Sequence, residues 1–317
     1  MAAEGGLAEV GRLALGLLLL TLGADSLLKG ASGLSLRLGL QPARVGVLAL
    51  LLGSALPELA FGLQAGMEGA PELAYAVLLE RALINLGLLL GALHLLVTLP
   101  RASRVTTLAA GAALGAALLF WWQSRNGVIS RIEGLTSLSL LALLLAFGAA
   151  RSVQASAPLR SDLEALAATR SENWRSALRV AIGMAALLFG ARYLFEASQR
   201  LSSVGPWAAL LPALILSLPL LGSAWFAGWR GFPHAALGLL LGSTVSNLLL
   251  AAGIVSFAEV LPVPASVASF GLPLLLALSV LALGACASDR PGPPTKGVLL
   301  VLAGAGTIAI LIARVAG

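Results

Sequence analysis

The most informative residues in this sequence are Pro57 and Glu58, a proline and a carboxylate inside an otherwise largely apolar run from Val45 to Gly66. Pro57 removes one backbone donor and clashes with the preceding turn, so a helix must break or kink there and leave carbonyl oxygens free. An ionisable side chain beside such a break can hold a transported cation together with those oxygens. The alternative is a structural kinked helix in which Glu58 pairs with a neighbour.

Composition indicates what must position these residues, which is a bundle of helices in a lipid bilayer. With 59% hydrophobic and 11% charged residues, the 317-residue chain lies outside the range of globular proteins. About 20 apolar residues cross a bilayer as a helix. The sequence contains ten such runs, which predicts an all-α membrane protein with ten transmembrane helices. They cover residues 7–30, 42–67, 72–98, 104–122, 129–150, 175–198, 205–229, 233–257, 265–286 and 296–316.

The longest polar interval divides these spans into two halves of five. We therefore expect a first half over residues 1–150, a polar linker over 151–174 and a second half over 175–317. Arg and Lys are more frequent on the side of the linker, which predicts a cytoplasmic linker and both termini outside. The cations are scattered between apolar runs, which argues against nucleic acid as a partner. A chain rich in Ala, Leu, Gly and Arg suggests a bacterial inner membrane.

The two halves resemble each other at a fixed offset of 162 residues. Pro57 and Asn85 correspond to Pro219 and Asn247, and both pairs are 28 residues apart. Because each half holds an odd number of spans, the second copy would be inserted upside down. Inverted repeats of broken helices that meet at the membrane midplane are a transporter architecture. The sequence thus predicts helix breaks at Pro57 and Pro219.

These residues resemble those of the cation/calcium antiporters, which include the sodium/calcium exchangers. Each repeat of that family reads approximately Gly-Thr-Ser-Leu-Pro-Glu on one helix and Gly-Ser-Asn-x-x-Asn on the next. This chain has Gly53-Ser-Ala-Leu-Pro-Glu58 with Asn85, then Ser217-Leu-Pro219 with Gly242-Ser-Thr-Val-Ser-Asn247. The resemblance implies two inverted five-helix repeats around a cluster of cation sites. It also implies exchange of Na⁺, H⁺ or Ca²⁺ by alternating access, with no bound cofactor.

The resemblance further implies which side chains meet the ion. In the family, carboxylates, hydroxyls and polar residues of the following helices ligate calcium or sodium, and hard cations prefer such oxygen ligands. Carried over to this chain, the implied metal ligands are Glu58, Asn85 and Asn247, and the implied hydroxyl ligands are Ser54, Ser217 and Ser243.

The chain departs from the family where charge matters. Leu220 stands where the second repeat has its glutamate, and Glu80-Arg81 replaces Gly-Ser, so that Arg81 occupies a ligand position. If the helices meet as in the family, the Arg81 guanidinium lies within reach of Glu58. Adjacent helical residues point about 100° apart, so Glu80 cannot easily pair with Arg81. We therefore expect a Glu58–Arg81 ion pair, with Glu80 facing another polar partner or a wet cavity.

Three functions stay open from the sequence, because neutral oxygens alone bind divalent ions weakly. The first is exchange of a monovalent cation or proton, with Glu58 as the titrating group and Arg81 as a built-in counterion. The second is transport of calcium or another divalent ion through Glu58, with Arg81 turned elsewhere. The third is a chain that has lost ion exchange, which moves another solute such as an anion attracted to Arg81, or has a structural role.

An intramembrane enzyme is the competing hypothesis from another class. The sequence contains no Gly-x-Ser-x-Gly elbow, no His-Glu-x-x-His and no paired-Asp motif. We therefore expect a transporter and not an enzyme.

Overall fold

The protein is described by a computed structural model over residues 2–38, 54–96, 104–152, 173–202, 210–231, 233–287, 298, 300–306 and 309. Most of these residues are helical. The α-helices are α1 Ala2–Arg37, α2 Leu56–Met67, α3 Pro71–Leu83, α4 Leu90–Leu96, α5 Arg104–Gln123, α6 Arg131–Ser152, α7 Asn173–Ser202, α8 Leu211–Trp229, α9 Pro233–Ser246, α10 Ala252–Ala258 and α11 Ala265–Ala287.

Shorter elements complete the described backbone. Two π-helical segments, π1 Ile84–Leu89 and π2 Asn247–Ala251, continue α3 into α4 and α9 into α10. A 3₁₀ turn over Ser124–Asn126 follows α5. The strand β1 Val128–Ile129 pairs antiparallel with β2 Leu261–Pro262, so a short ribbon ties the loop after α5 to the loop after α10.

Six helical stretches of the described residues are long and apolar enough to cross a membrane. The protein is therefore an integral membrane protein. The first part of the predicted span 42–67, most of span 296–316 and most of the linker lie outside the described residues. The count of ten helices, the inverted order of the repeats and the division at 151–174 remain predictions. The six stretches are Ala8–Leu36, Pro71–Leu96, Trp174–Leu201, Leu211–Trp229, Pro233–Ala258 and Ala265–Ala287.

The core surrounds two of these stretches, Pro71–Leu96 and Pro233–Ala258. In an 18-residue apolar part of each, 89% and 78% of the residues are buried. In the other four stretches the buried share is between 28% and 39%. Each of the two contains a π segment, and the pair Asn85 and Asn247, one in each segment, has the 162-residue offset of the repeat. A π turn holds an extra residue and often marks a functional site. The similarity of the two halves therefore extends to a shared irregularity of the backbone.

Helices α1 and α7 pack against each other through glycines. A Cβ added at Gly23 would lie 2.9 Å from the carbonyl oxygen of Gly183, and one at Gly16 would lie 3.1 Å from that of Gly190. Because the partner number falls as the α1 number rises, the two helices run antiparallel. Small residues let helix backbones approach closely in a membrane, where apolar side chains gain little by leaving lipid.

The two prolines predicted to break helices differ in their surroundings. Helix α2 begins at Leu56, so Pro57 lies in its first turn, where a missing backbone N–H is tolerated. Pro219 lies inside α8, which continues without interruption from Leu211 to Trp229. The expected break at Pro219 is not found, although the proline supplies no backbone N–H to the helix there. In lipid the remaining backbone groups must still be paired internally, which favours continuation of the helix.

Candidate functional site

Glu58 and Arg81 form an ion pair that joins α2 to α3 through Glu58 Oε1 and Arg81 Nη2. The Glu58 side chain is 0% exposed and the Arg81 side chain 2%. The predicted pair is confirmed. Glu58 lies in the first turn of α2, where backbone N–H groups favour a negative charge. The two full charges in the interior therefore compensate each other.

Asn85 and Asn247 join the two halves of the chain. Both are fully buried. Asn85 Nδ2 donates to Ser243 Oγ at 3.5 Å, and Asn247 Nδ2 donates to the carbonyl oxygen of Leu78 at 2.7 Å. Neither Oδ1 atom has a hydrogen-bond partner among the described residues. A buried acceptor without a donor is unfavourable, so these two carboxamide oxygens are candidate ligands for a cation.

The three serines that the resemblance implies as hydroxyl ligands are Ser54, Ser217 and Ser243. Ser54 lies in the turn before α2 and is therefore outside the helix that carries Glu58. Ser217 is buried, and its Oγ donates to the carbonyl oxygen of Ala213 at 2.7 Å, which leaves its lone pairs to accept. Ser243 is fully buried and receives the Asn85 amide. The ligand roles of these serines remain predictions.

Glu80 is buried on α3 beside the paired Arg81, with 2% of its surface exposed. Its Oε2 atom has no hydrogen-bond partner in the described part of the chain. The second polar partner that the sequence suggested for Glu80 is thus not found there, and the wet cavity remains a prediction. Glu80 is a buried acid outside the Glu58–Arg81 pair.

The site carries little negative charge with which to bind a divalent ion. Among the described residues, no three His, Cys, Asp or Glu side chains come close enough to hold a metal ion together. Leu220, at the position of the absent glutamate, is apolar and 7% exposed. Calcium sites generally combine six to eight oxygens, several of them from carboxylates. The arrangement offers amide and hydroxyl oxygens beside one neutralised carboxylate.

Known proteins resemble this chain in sequence and in fold. Residues 9–149 match the family model described as sodium/calcium exchanger protein. The first half of the chain is therefore similar to the sodium/calcium exchangers. A similar protein, the putative antiporter CaxA of Alkalimonas amylolytica, is 26% identical over 246 residues, which cover 75% of this chain and 77% of that protein.

Solved structures of a sodium-calcium exchanger have a similar fold. The sodium-calcium exchanger NCX_Mj soaked with 2.5 mM Na⁺ and 0.1 mM Ca²⁺ has a TM-score of 0.65 and 21% identity, covering 95% of this chain and 98% of that one. The same exchanger soaked with zero Na⁺ and Ca²⁺ has a TM-score of 0.64 and 20% identity, covering 96% and 99%. The predicted resemblance to this superfamily is confirmed, and the helical fold is similar to that of an exchanger.

Two features of the site were missed from the sequence. The π segments put Asn85 and Asn247 on irregular backbone, and apolar periodicity does not distinguish π from α turns over so few residues. The carbonyl oxygen of Leu78 is the partner of Asn247, and a backbone acceptor inside a helix has no sequence signal.

Proposed function

We propose that this protein is a cation antiporter that exchanges monovalent cations, including protons, by alternating access, and that its Arg81 discourages calcium. The observation that carries the proposal is the buried Glu58–Arg81 ion pair. The guanidinium replaces one of the cations that a carboxylate in this position would otherwise attract. The match of residues 9–149 to the sodium/calcium exchanger model and the fold likeness to an exchanger support cation antiport as the class of activity.

Magnitudes favour a monovalent ion. At about 4 Å and an effective dielectric of about 20, Arg81 repels a monovalent cation by about 4 kcal/mol and a divalent one by about 8 kcal/mol. Glu58 attracts each ion by a similar amount, so the pair gives almost no net attraction. Binding then depends on neutral oxygens such as Asn85 Oδ1 and Asn247 Oδ1, which have no protein donor within the described residues. Such oxygens can suffice for a weakly hydrated monovalent ion but poorly replace the water around a divalent one.

A second candidate is transport of an anion. Arg81 Nε and Nη1 have no hydrogen-bond acceptor among the described residues, and a guanidinium has donors that fit oxyanions. Against it, Glu58 already compensates the charge of Arg81. An anion transporter would take up sulfate or chloride into proteoliposomes but would take up neither sodium nor potassium.

The test is uptake by proteoliposomes that contain the intact chain, with separate gradients of sodium, rubidium as a potassium tracer, calcium, protons, chloride and sulfate. We expect uptake of a monovalent cation that is driven by an opposite gradient of another monovalent cation or of protons. Glu58→Gln should abolish that uptake, because it leaves the Arg81 charge uncompensated beside the ion. Glu72→Gln, which makes the same change at an exposed acid at the start of α3, is the control and should transport normally. Native uptake that survives Glu58→Gln would contradict the proposal.

A further inference from the structure

Glu80 is a buried acid that takes no part in the ion pair of Glu58 with Arg81. It lies near the middle of the membrane stretch Pro71–Leu96 and is 2% exposed. Arg81 follows it directly, but the Arg81 guanidinium lies on Glu58. Glu80 Oε2 lacks a hydrogen-bond partner in the part of the chain that the structure describes.

The described segments that pack most against α3 carry few charges that could act as a counterion for Glu80. The segments that pack most against α3 are α2, α8, α10, α11, π1, π2 and β2, and α5 adds a ring contact from Phe120 to Tyr75. Across these segments and α3 itself, ionisable side chains are few and most lie near segment ends. They are Glu58 on α2, Glu72, Tyr75, Glu80 and Arg81 on α3, Arg104 at the start of α5 and Cys286 near the end of α11.

A lone carboxylate in such a place is strongly unfavourable, whereas the neutral acid is not. Glu80 can therefore avoid the penalty by holding a proton while the site is empty of cations. Glu58 is poorly suited to that task, because its protonation would leave the buried guanidinium of Arg81 without a counterion, and an arginine does not lose its proton in proteins. The two buried acids therefore differ in role: one is fixed in an ion pair, the other is free to exchange a proton.

We propose that Glu80, and not Glu58, carries the proton that this antiporter exchanges for a monovalent cation. On arrival of the cation, the O–H bond of the Glu80 acid breaks, the electron pair stays on the carboxylate and the proton leaves to the aqueous side. The Glu58–Arg81 pair is unchanged. One cation enters for each proton that leaves, so the net charge of the site stays constant. This inference rests on the proposed monovalent exchange and names its coupling ion.

The acid does not need to touch the cation. Asn85, whose Oδ1 is a candidate ligand, is five residues along the same helix, a rise of about 7.5 Å. A full charge at about 8 Å in an effective dielectric of about 20 changes the affinity for a monovalent cation by about 30-fold. The negative charge formed at Glu80 is thus sufficient to couple proton release to cation binding.

The test compares native protein, Glu80→Gln and the control Glu72→Gln in proteoliposomes that contain a pH-sensitive dye. In the native protein and the control, an inward cation gradient should move protons outward, and cation exchange should depend on pH. In Glu80→Gln the proton movement should vanish. Exchange of labelled for unlabelled cation should persist, independent of pH and with an apparent affinity about 30-fold weaker. Native proton movement in Glu80→Gln would overturn the inference and leave the proposed antiport standing.

Infrared spectroscopy of the purified native protein gives a readout that needs no transport. The carboxylic acid C=O band of Glu80 should be present without added cation, disappear on addition of sodium or potassium salt, and be missing from Glu80→Gln. A native protein whose acid bands do not respond to either cation, yet which exchanges them in liposomes, would overturn the role of Glu80. A native protein that moves no monovalent cation at all would instead refute the proposed function.

Discussion

The Glu58–Arg81 pair predicts an unequal double-mutant cycle. Glu58→Gln keeps the shape of the side chain and leaves a guanidinium that is 2% exposed without its counterion. Breaking a buried pair from one side destabilises proteins by about 3–5 kcal/mol. Arg81→Met should cost less, because the remaining acid can take up a proton whereas an arginine cannot lose one. The double variant should return to within about 1 kcal/mol of the native protein, since buried pairs are often replaced by uncharged residues without loss.

The free energies of unfolding can be compared by denaturant titration of the purified protein in mild detergent, followed by tryptophan fluorescence. Glu72→Gln, at an exposed position of α3, should change the unfolding free energy by no more than about 0.5 kcal/mol. The cycle should give a coupling energy of about 3 kcal/mol between Glu58 and Arg81. Additive losses in the double variant would show that the two side chains do not depend on each other and would refute the pair as the electrostatic centre of the site.

Three further predictions concern packing, capping and charge. Gly183→Ala should lower the melting temperature in detergent, because its Cβ would lie 2.5 Å from the Leu27 backbone nitrogen and overpacking costs about 1–3 kcal/mol. Ser130→Ala should destabilise the start of α6 by about 0.5–2 kcal/mol, since Ser130 and Glu133 cap each other there, which amide hydrogen exchange can measure. Leu220→Glu should raise calcium binding in isothermal titration, because it adds a carboxylate at a buried position of the second half.

Each of these predictions has a control variant or an outcome that would contradict it. Gly111→Ala, with no atom within 4 Å of the added Cβ, should leave the melting temperature unchanged, and an equal loss at both glycines would argue against the close packing of α1 with α7. If amide hydrogen exchange at the start of α6 is unaltered in Ser130→Ala, the cap does not stabilise the helix. For the charge prediction, Leu220→Gln has a similar size without the charge, so equal calcium binding by both variants would contradict the electrostatic explanation.

The helices were largely predictable because lipid imposes a simple rule on their composition. Apolar runs of membrane length gave the positions of α1, α7 and α11 to within several residues at most ends. The repeat offset singled out Asn85 and Asn247 because polar residues in a membrane need partners or a function. The ion pair followed from the same rule, since Glu58 and Arg81 could hardly be buried apart.

The remaining features depend on backbone detail that residue types do not encode. Helix α8 continues through Pro219, and the presence of a proline alone does not show whether a helix breaks or continues. Ser54 precedes the helix that carries Glu58, because α2 begins only at Leu56. The π segments and the contact of Asn247 with Leu78 arise from the fit of one helix against another.

The most direct test of the account is calcium uptake by proteoliposomes that contain either the native chain or Arg81→Ser. If Arg81 takes the place of a cation beside Glu58, the native protein exchanges monovalent cations but carries no saturable calcium flux, and Arg81→Ser gains one. Calcium exchange that is equally fast in both proteins would contradict the central role of Arg81.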